Sequence, residues 1–277
     1  MKNVKVTVSR LADGVCTFEE GDGHYINAYL IIGRDSALLV DTLCECENLY
    51  ERVRELTSLP LTVLITHGHG DHAGISTRAF REHGCRVYMS HDDLPVLNGL
   101  FGETYPDSFF EPLTEGMEFD AGGFVLKTIA VPGHTPGSVV FLEEEKQLLF
   151  SGDTIGSGMI WMQIPGCTAL SVLQEGLHRL HETVAGLPGL QVFPGHRYQS
   201  PVSLGLSYVG DVMRLTDDLV SGKNPGRETV MDFHGRELSY RTAACGDMRE
   251  FCYDPARLRE ERESTGPMCP SGREEKE

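Results

Sequence analysis

Short alternating runs of apolar and polar residues predict a β-sheet in the first part of the chain. The runs are rich in β-branched residues and are separated by Gly and Asp turns, as in an antiparallel meander. A continuous apolar run, Leu61–Thr66, then predicts a buried strand. The other strands predicted in this part are Val4–Val8, Val15–Glu19, Tyr25–Ile32, Ala37–Asp41 and Arg86–Met89.

Helical spacing of apolar residues interrupts these runs and becomes dominant after residue 167. Thr168 stands at the predicted N-cap of the most regular of these helices, because its hydroxyl can accept from the first turn. The predicted helices are Cys46–Leu56, Asp71–Glu82, His91–Asn98, Thr168–Val184 and Pro201–Val220. The remaining predicted strands are Phe124–Val131, Ser138–Leu142, Gln147–Ser151 and Gln191–Phe193.

The composition changes after residue 223, which predicts a main domain over residues 1–223 and a C-terminal extension over residues 224–277. Glu228–Phe233 and Glu237–Arg241 form a candidate hairpin in this extension. The residues from Pro255 onward are predicted to be a charged, solvated tail. We expect the extension to pack on the preceding domain or to trail from it.

The formal net charge of −17 disfavours nucleic acid and anionic membranes as partners, because both are polyanions. The chain has no apolar run long enough for a membrane span and no signal-peptide core. These features predict a cytoplasmic protein with a small-molecule substrate, and they leave a homodimer open. The eight cysteines are predicted to be free thiols in a reducing compartment.

A dense cluster of metal-binding side chains follows the predicted buried strand. Three imidazoles and a carboxylate occupy the six residues from His67 to His72. His134, Asp153 and His196 each follow another apolar run beside Gly or Pro, where loops carry active-site residues. One histidine at a strand end is usually an ordinary polar residue. Five of the chain's eleven histidines in this setting indicate a metal site instead.

The order of these motifs closely resembles that of the metallo-β-lactamase-like superfamily. The shared pattern is a His-x-His-x-Asp-His run, a Gly-His, an Asp at a strand end and a final Gly-His, preceded by an early Asp that corresponds to Asp41. The match spans Tyr25 to His196. The resemblance implies an α/β fold, a four-layer αββα sandwich with two mixed sheets face to face and helices outside.

The resemblance also implies a ligand set for two metal ions. It places one ion on His67, His69 and His134, and the other on Asp71, His72 and His196. Asp153 would bridge the two ions, and Asp41 would orient the His-x-His loop from behind the ligands.

Imidazole and carboxylate ligands suit two zinc ions, with iron or manganese as alternatives. Two metals about 3.5–4 Å apart can share a water molecule and lower its pKa toward 7, which generates metal-bound hydroxide. Asp71 is the expected catalytic residue, since it can orient the nucleophile and carry its proton. The sequence therefore predicts a zinc-dependent hydrolase.

Comparison with branches of this superfamily weighs against redox chemistry, a secreted β-lactamase, glutathione as substrate and a typical lactonase. The overall acidity and the apolar segment after Asp153 still favour a small ester, thioester or lactone. Oxygen-reducing diiron relatives usually have Glu at the position of His69, and secreted β-lactamases generally lack the bridging Asp153. The segment Thr154–Gly166 has no cation for the carboxylates of glutathione, and Gly156 stands where lactonases typically have Tyr. The alternatives are a phosphodiesterase or nuclease of the same superfamily, and a metal-binding protein without hydrolase activity.

Position in the chain suggests four substrate-binding residues. Trp161 lies among methionines in the segment after the bridging aspartate, Tyr25 and Asn27 lie on an early predicted strand, and Tyr198 follows the last histidine. An apolar wall with a few polar groups suits a small-molecule pocket. Packing in the core is the alternative for each of them.

Overall fold

Strands and helices alternate along the part of the chain that the computed structural model describes, residues 4–21, 25–100, 104–156, 158–196, 204–233, 235–245 and 248–260. The strands are β1 Val6–Ala12, β2 Val15–Glu20, β3 Ile26–Ile32, β4 Ala37–Val40, β5 Leu61–Leu64, β6 Arg86–Met89, β7 Glu111–Pro112, β8 Glu118–Asp120, β9 Val125–Ala130, β10 Val139–Glu143, β11 Leu148–Gly152, β12 Met159–Met162, β13 Gln191–Pro194, β14 Arg227–Phe233, β15 Arg236–Cys245 and β16 Met248–Tyr253. The helices are α1 Leu49–Leu56, α2 Thr77–Glu82, α3 Leu94–Leu100, α4 Leu170–Val184 and α5 Leu206–Val220.

These strands form three sheets. The first contains β1 to β7 in chain order, and the second has the order β13-β11-β10-β9-β8. Side chains on β3 show how the first sheet is covered on both faces. Ala28 and Leu30 pack with residues of α1 and α2, whereas Tyr29 and Ile31 lie in a central core shared with the second sheet. This alternation is the period of two that a strand imposes on its side chains.

The second sheet repeats this arrangement on its own two faces. Phe141 of β10 lies in the central core, while its neighbours Val140 and Leu142 pack with α4 and α5. The layers therefore run helices, sheet, sheet, helices. The expected αββα sandwich is confirmed.

A third sheet, of order β12-β16-β15-β14, packs on the helical layer of α4 and α5. Its β14 and β15 form the antiparallel hairpin expected in the C-terminal extension. Its other two strands were not predicted. Met159–Met162, in the segment after the bridging aspartate, forms β12 and pairs in parallel with β16.

The prediction that Asp71 and His72 open a helix is wrong, because α2 begins only at Thr77. Residues 71–76 instead wrap around the end of β4, where the backbone N–H of Thr42 donates to the carbonyl of His72 at 2.8 Å. Gly74 makes this approach feasible. A Cβ at this position would lie 1.9 Å from the carbonyl oxygen of Leu43.

Two further helix starts differ from the prediction. Ala169, not Thr168, is the N-cap of α4, and the Thr168 hydroxyl donates to the carbonyl of Ala169. Helix α5 begins at Leu206 rather than Pro201, and residues 201–203 lie outside the described residues. Within the described ranges, no helix is both long and apolar enough to cross a membrane.

Candidate metal centre

All seven predicted ligands lie together where strands of the two facing sheets end. The structure groups them as three sets whose nitrogen and oxygen atoms lie within 4.8 Å of one another. The sets overlap, which makes one continuous site from residues far apart in the chain. They are His67, His69 and His134; His67, His72 and Asp153; and Asp71, His72 and His196.

The first set has the spacing of ligands around one ion. His69 Nδ1 lies 3.1 Å from His67 Nε2 and 2.9 Å from His134 Nε2. A tetrahedral zinc ion with Zn–N bonds of about 2.0–2.1 Å separates its ligands by about 3.3 Å. Three buried imidazole nitrogens at this separation therefore fit one metal ion.

Asp153 lies between the two predicted metal positions. Its Oδ1 is 3.4 Å from His72 Nε2, and its Oδ2 is 3.5 Å from His134 Nε2 and 3.3 Å from His196 Nε2. Asp71 completes the second position, with Oδ2 3.3 Å from His196 Nε2. One carboxylate thus contacts imidazoles of both sets, as a bridging ligand must.

Asp41 sets the orientation of two of these histidines. Its Oδ1 accepts from the backbone N–H of Thr66 at 2.8 Å, and its Oδ2 accepts from the Thr66 hydroxyl at 2.9 Å and from His72 Nδ1 at 2.8 Å. Because the Thr66 hydroxyl donates to Asp41, it accepts from His67 Nδ1 at 3.0 Å. In the neutral imidazoles, the Nε2 lone pairs of His67 and His72 then face the cluster.

A backbone carbonyl, that of Trp161, sets the orientation of the His134 ring. His134 Nδ1 donates to the carbonyl oxygen of Trp161 at 2.6 Å, which leaves His134 Nε2 as the atom that faces the cluster. Metal-binding histidines usually donate their second ring N–H to such an acceptor. No motif in the sequence indicates this contact, because it depends on the unpredicted strand β12.

The local packing also fits a bound cation. His72 Nε2 and Asp153 Oδ1 are buried, and neither makes a hydrogen bond of ordinary geometry within the described residues. The two atoms lie 3.4 Å apart, longer than an ordinary hydrogen bond, and a metal ion would give each of them a ligand bond. Gly195 leaves room beside them, since a Cβ there would lie 2.4 Å from Asp153 Oδ1 and from His72 Cε1.

The electrostatics divide the cluster into two parts. Burial, reinforced by the neighbouring His134, lowers the pKa of His69 to about 3. Burial also acts to lower the pKa of His72, but the carboxylates of Asp153, Asp71 and Asp41 outweigh it and raise that pKa to about 10. One part of the site therefore presents neutral imidazoles, and the other presents imidazole beside carboxylate.

Asp93 is a buried residue that the sequence analysis missed. Its Oδ2 accepts from the backbone N–H of Gly68 at 2.7 Å and from the Thr135 hydroxyl at 2.6 Å, and its Oδ1 accepts from the backbone N–H of Gly137 at 2.6 Å. Gly68 separates two ligand histidines, and Thr135 follows His134. Asp93 therefore ties together the two loops that carry the three-histidine set.

The candidate substrate residues have different environments. Trp161 is half-buried on β12, and Tyr25 is exposed with a positive φ of 42°. Asn27 is only 1% exposed, and its amide donates to the carbonyl of Pro194, so its contact with substrate stays a prediction. Asn27 supports the loop before His196. Tyr198 lies outside the described residues.

The family assignment agrees with this geometry. The model of the metallo-beta-lactamase superfamily matches residues 21–196, more than half of the chain and the span of all seven clustered ligands. The chain belongs to the metallo-beta-lactamase superfamily, as the motif order indicated.

Individual relatives differ in chemistry. Hydroxyacylglutathione hydrolase GloC of Haemophilus influenzae is 32% identical over 137 residues, 45% of this chain and 64% of GloC. The mitochondrial persulfide dioxygenase ETHE1 of Mus musculus is 30% identical over 180 residues, 61% of this chain and 63% of that protein. Each match spans less than two thirds of the relative.

Among solved structures, TTHA1623 in a di-iron-bound form has a TM-score of 0.56 and 27% identity, over 74% of this chain and 97% of that one. Together with the family match, these relatives support a metal-dependent enzyme of the hydrolase type. They do not specify its metal or its substrate.

Proposed function

We propose that this protein is a dinuclear metal-dependent hydrolase of a small acyl substrate, an ester, thioester or lactone. The observation that carries the proposal is the position of Asp153. Its two oxygens lie within 3.5 Å of imidazoles from both ligand sets, which suits a carboxylate shared by two ions. Bound divalent metals would supply an activated water molecule and polarise the substrate carbonyl.

The remaining steps fall to residues of the chain. Asp71 is 30% exposed on its side chain and lies 3.3 Å from His196, so it is the ligand best placed to exchange a proton with solvent. It can orient the attacking water and carry its proton to the leaving group. Asp41 and the Trp161 carbonyl keep the imidazole rings fixed while this happens.

The proposed substrate class rests on the segment after Asp153. Of its apolar residues, Ile160 and Met162 face the core, while Met159 and Trp161 share the half-exposed face of β12. The segment Thr154–Gly166 contains no Lys or Arg, so it favours hydrocarbon over a carboxylate or phosphate. A phosphodiester substrate is the alternative within this superfamily.

Zinc is the proposed metal because imidazole and carboxylate are ligands that it prefers. Iron is the alternative, and it is the metal in the solved di-iron form of TTHA1623. The same donor set serves both metals, so elemental analysis of the purified protein decides between them.

The test combines that elemental analysis with hydrolysis of a panel of esters, thioesters, lactones and phosphodiesters. We expect two metal ions per chain and turnover of at least one acyl class. Asp71→Asn should then lower kcat by roughly 10²–10⁴-fold, the range for a positioned acid–base group. Cleavage of phosphodiesters alone, or bound metal without any turnover, would overturn the proposal.

Trp161→Ala tests the apolar wall separately. Its backbone carbonyl remains for His134, so we expect a higher KM at nearly unchanged kcat, as for lost uniform binding. Trp161→Phe is the matched control that keeps an apolar ring. Equal kinetics for all three proteins would remove Trp161 from the substrate site.

A further inference from the structure

The carbonyl of Trp161 links the metal centre to the C-terminal sheet. It accepts from His134 Nδ1 at 2.6 Å and from the buried thiol of Cys167 at 3.6 Å. Trp161 lies on β12, the edge strand of the third sheet. The position of this carbonyl therefore depends on what holds β12 and the segment after it.

Strand β12 is held on one side by β16. The parallel pairing aligns Trp161 with Cys252 and Met159 with Glu250. A further hydrogen bond runs from the backbone N–H of Glu250 to the carbonyl of Gly158 at 3.0 Å. The strand that positions His134 thus has a partner from residues beyond 196, where the superfamily match ends.

The segment after β12 is held by a single guanidinium group. Arg257 donates to the carbonyls of Cys167 at 2.6 Å, Gln163 at 2.9 Å and Ile164 at 3.0 Å. Its Nε donates to Asp254 Oδ2 at 3.0 Å, which fixes the orientation of the planar group. One planar side chain therefore donates to three carbonyls of an irregular segment.

We propose that Arg257 is a positioning residue of the metal centre, and that it acts through the backbone. By fixing residues 163–167, it fixes the Trp161 carbonyl, which in turn sets the tautomer and direction of the His134 imidazole. The C-terminal extension, which carries Arg257, then helps to orient a ligand of the metal centre. This inference rests on the proposed metal-binding role of His134.

The geometry distinguishes this role from general packing. Loss of Arg257 removes a donor from three carbonyls, of which Ile164 keeps the backbone N–H of Cys167 at 3.4 Å. Cys167 accepts from Arg257 through its carbonyl and donates to Trp161 through its thiol. The path from guanidinium to imidazole therefore passes through hydrogen bonds that are all present in the structure.

The test compares Arg257→Ala with Arg259→Ala. Arg259 is a matched control, because it is an exposed arginine two residues away with one 3.4 Å bond to the carbonyl of Val220. Stepwise zinc dissociation constants are measured by competition with a chromophoric chelator. For Arg257→Ala we expect one constant to rise about 10–100-fold, the usual effect of losing a partner behind a ligand. Arg259→Ala should match the wild type.

A second readout uses the metal-free protein. The ¹⁵N signals of the His134 ring report its tautomer, and we expect the single Nδ1–H form in the wild type and a mixture in Arg257→Ala. Arg257→Lys keeps the positive charge but loses the planar guanidinium group, so its fraction of the Nδ1–H form should lie between those of the wild type and Arg257→Ala. If Arg257→Ala does not fold, Asp254→Asn, which keeps the guanidinium but removes its orienting charge, should shift the same signals in the same direction.

Unchanged zinc constants together with unchanged His134 signals, even at a lower melting temperature, would overturn the proposal and leave Arg257 a purely structural role. The His134 signals are read without metal or substrate. They therefore test this inference even if the protein proves not to be a hydrolase.

Discussion

Replacing Asp93 with Asn tests whether a buried carboxylate holds the three-histidine set together. Asn has nearly the same shape but only one acceptor oxygen. Turned toward Gly68 and Thr135, it keeps two of the three hydrogen bonds, and its NH₂ group then faces the backbone N–H of Gly137. The substitution therefore replaces the short hydrogen bond from Gly137 N–H to the Asp93 carboxylate by a contact between two N–H donors.

The size of the effect follows from these contacts. A hydrogen bond to a charged group contributes about 1.5–3 kcal/mol, and a buried donor without a partner costs a similar amount. Burial raises the pKa of Asp93 despite its three donors, which means that burying the charged carboxylate destabilises the fold. Removing the charge therefore offsets part of the stability lost with the hydrogen bond. We expect a net loss of about 2 kcal/mol in the free energy of unfolding, roughly a 30-fold change in the folding equilibrium.

Urea unfolding of the metal-free protein measures this loss, and zinc titration measures its consequence at the site. Because Gly68 separates His67 from His69, we also expect weaker zinc binding, by about 10–100-fold. Asp92→Asn is the matched control, an exposed neighbour with the same change of charge. If Asp93→Asn unfolded at the wild-type urea concentration and bound zinc normally, the assigned role of Asp93 would be wrong.

Three further predictions concern the site and its surroundings. Asp153→Asn should reduce bound metal from two ions to one per chain by elemental analysis, because a shared ligand is lost; two retained ions would contradict the bridging role. Metal loading at pH 7 should release a proton from His72, because its pKa is raised to about 10 in the metal-free chain. Calorimetric titration with metal in buffers of different ionisation heat measures the number of protons released. Protonated His72 stabilises the metal-free protein fully below its ordinary pKa of 6.5, and this stabilisation is lost as the pH rises through about 10. An equal free energy of unfolding of the metal-free protein below pH 6.5 and above pH 10 would refute this. Tyr208→Phe should lower the free energy of unfolding by about 1–3 kcal/mol, since the hydroxyl donates to the Gly156 carbonyl and accepts from the Gly158 N–H; an unchanged urea midpoint would argue against it.

The ligand cluster was predictable because its motifs are local in the sequence, and the layer order was predictable because the resemblance carried by those motifs implies it. The run from His67 to His72 directly follows an apolar strand, and each later ligand stands beside a Gly or Pro at a strand end. The alternation along β3 is equally local, with Tyr29 and Ile31 on one face and Ala28 and Leu30 on the other. Side-chain period was therefore sufficient for the strand, and the family resemblance supplied the layers and the ligand set.

The missed features depend on partners far along the chain. Asp93 is an ordinary acidic residue in its own segment, and its role appears only through Gly68 and Gly137, which are 25 and 44 residues away. Met159–Met162 has the composition of either a pocket loop or a strand, and its pairing with β16 decides between them. Likewise, residues 71–76 contact Thr42 and Leu43 before α2 begins, and their own segment does not indicate these contacts.

The parallel pairing of β12 with β16 decides how far this polypeptide can be shortened. A fragment that ended with the superfamily match at His196 would keep β12 but lose its neighbour, along with the cover that Phe251 gives to the buried Ile160 and Met162. Its unpaired strand would then be free to bind copies of itself. We expect such a fragment to aggregate, whereas one that ends after Arg257 stays monodisperse in size-exclusion chromatography.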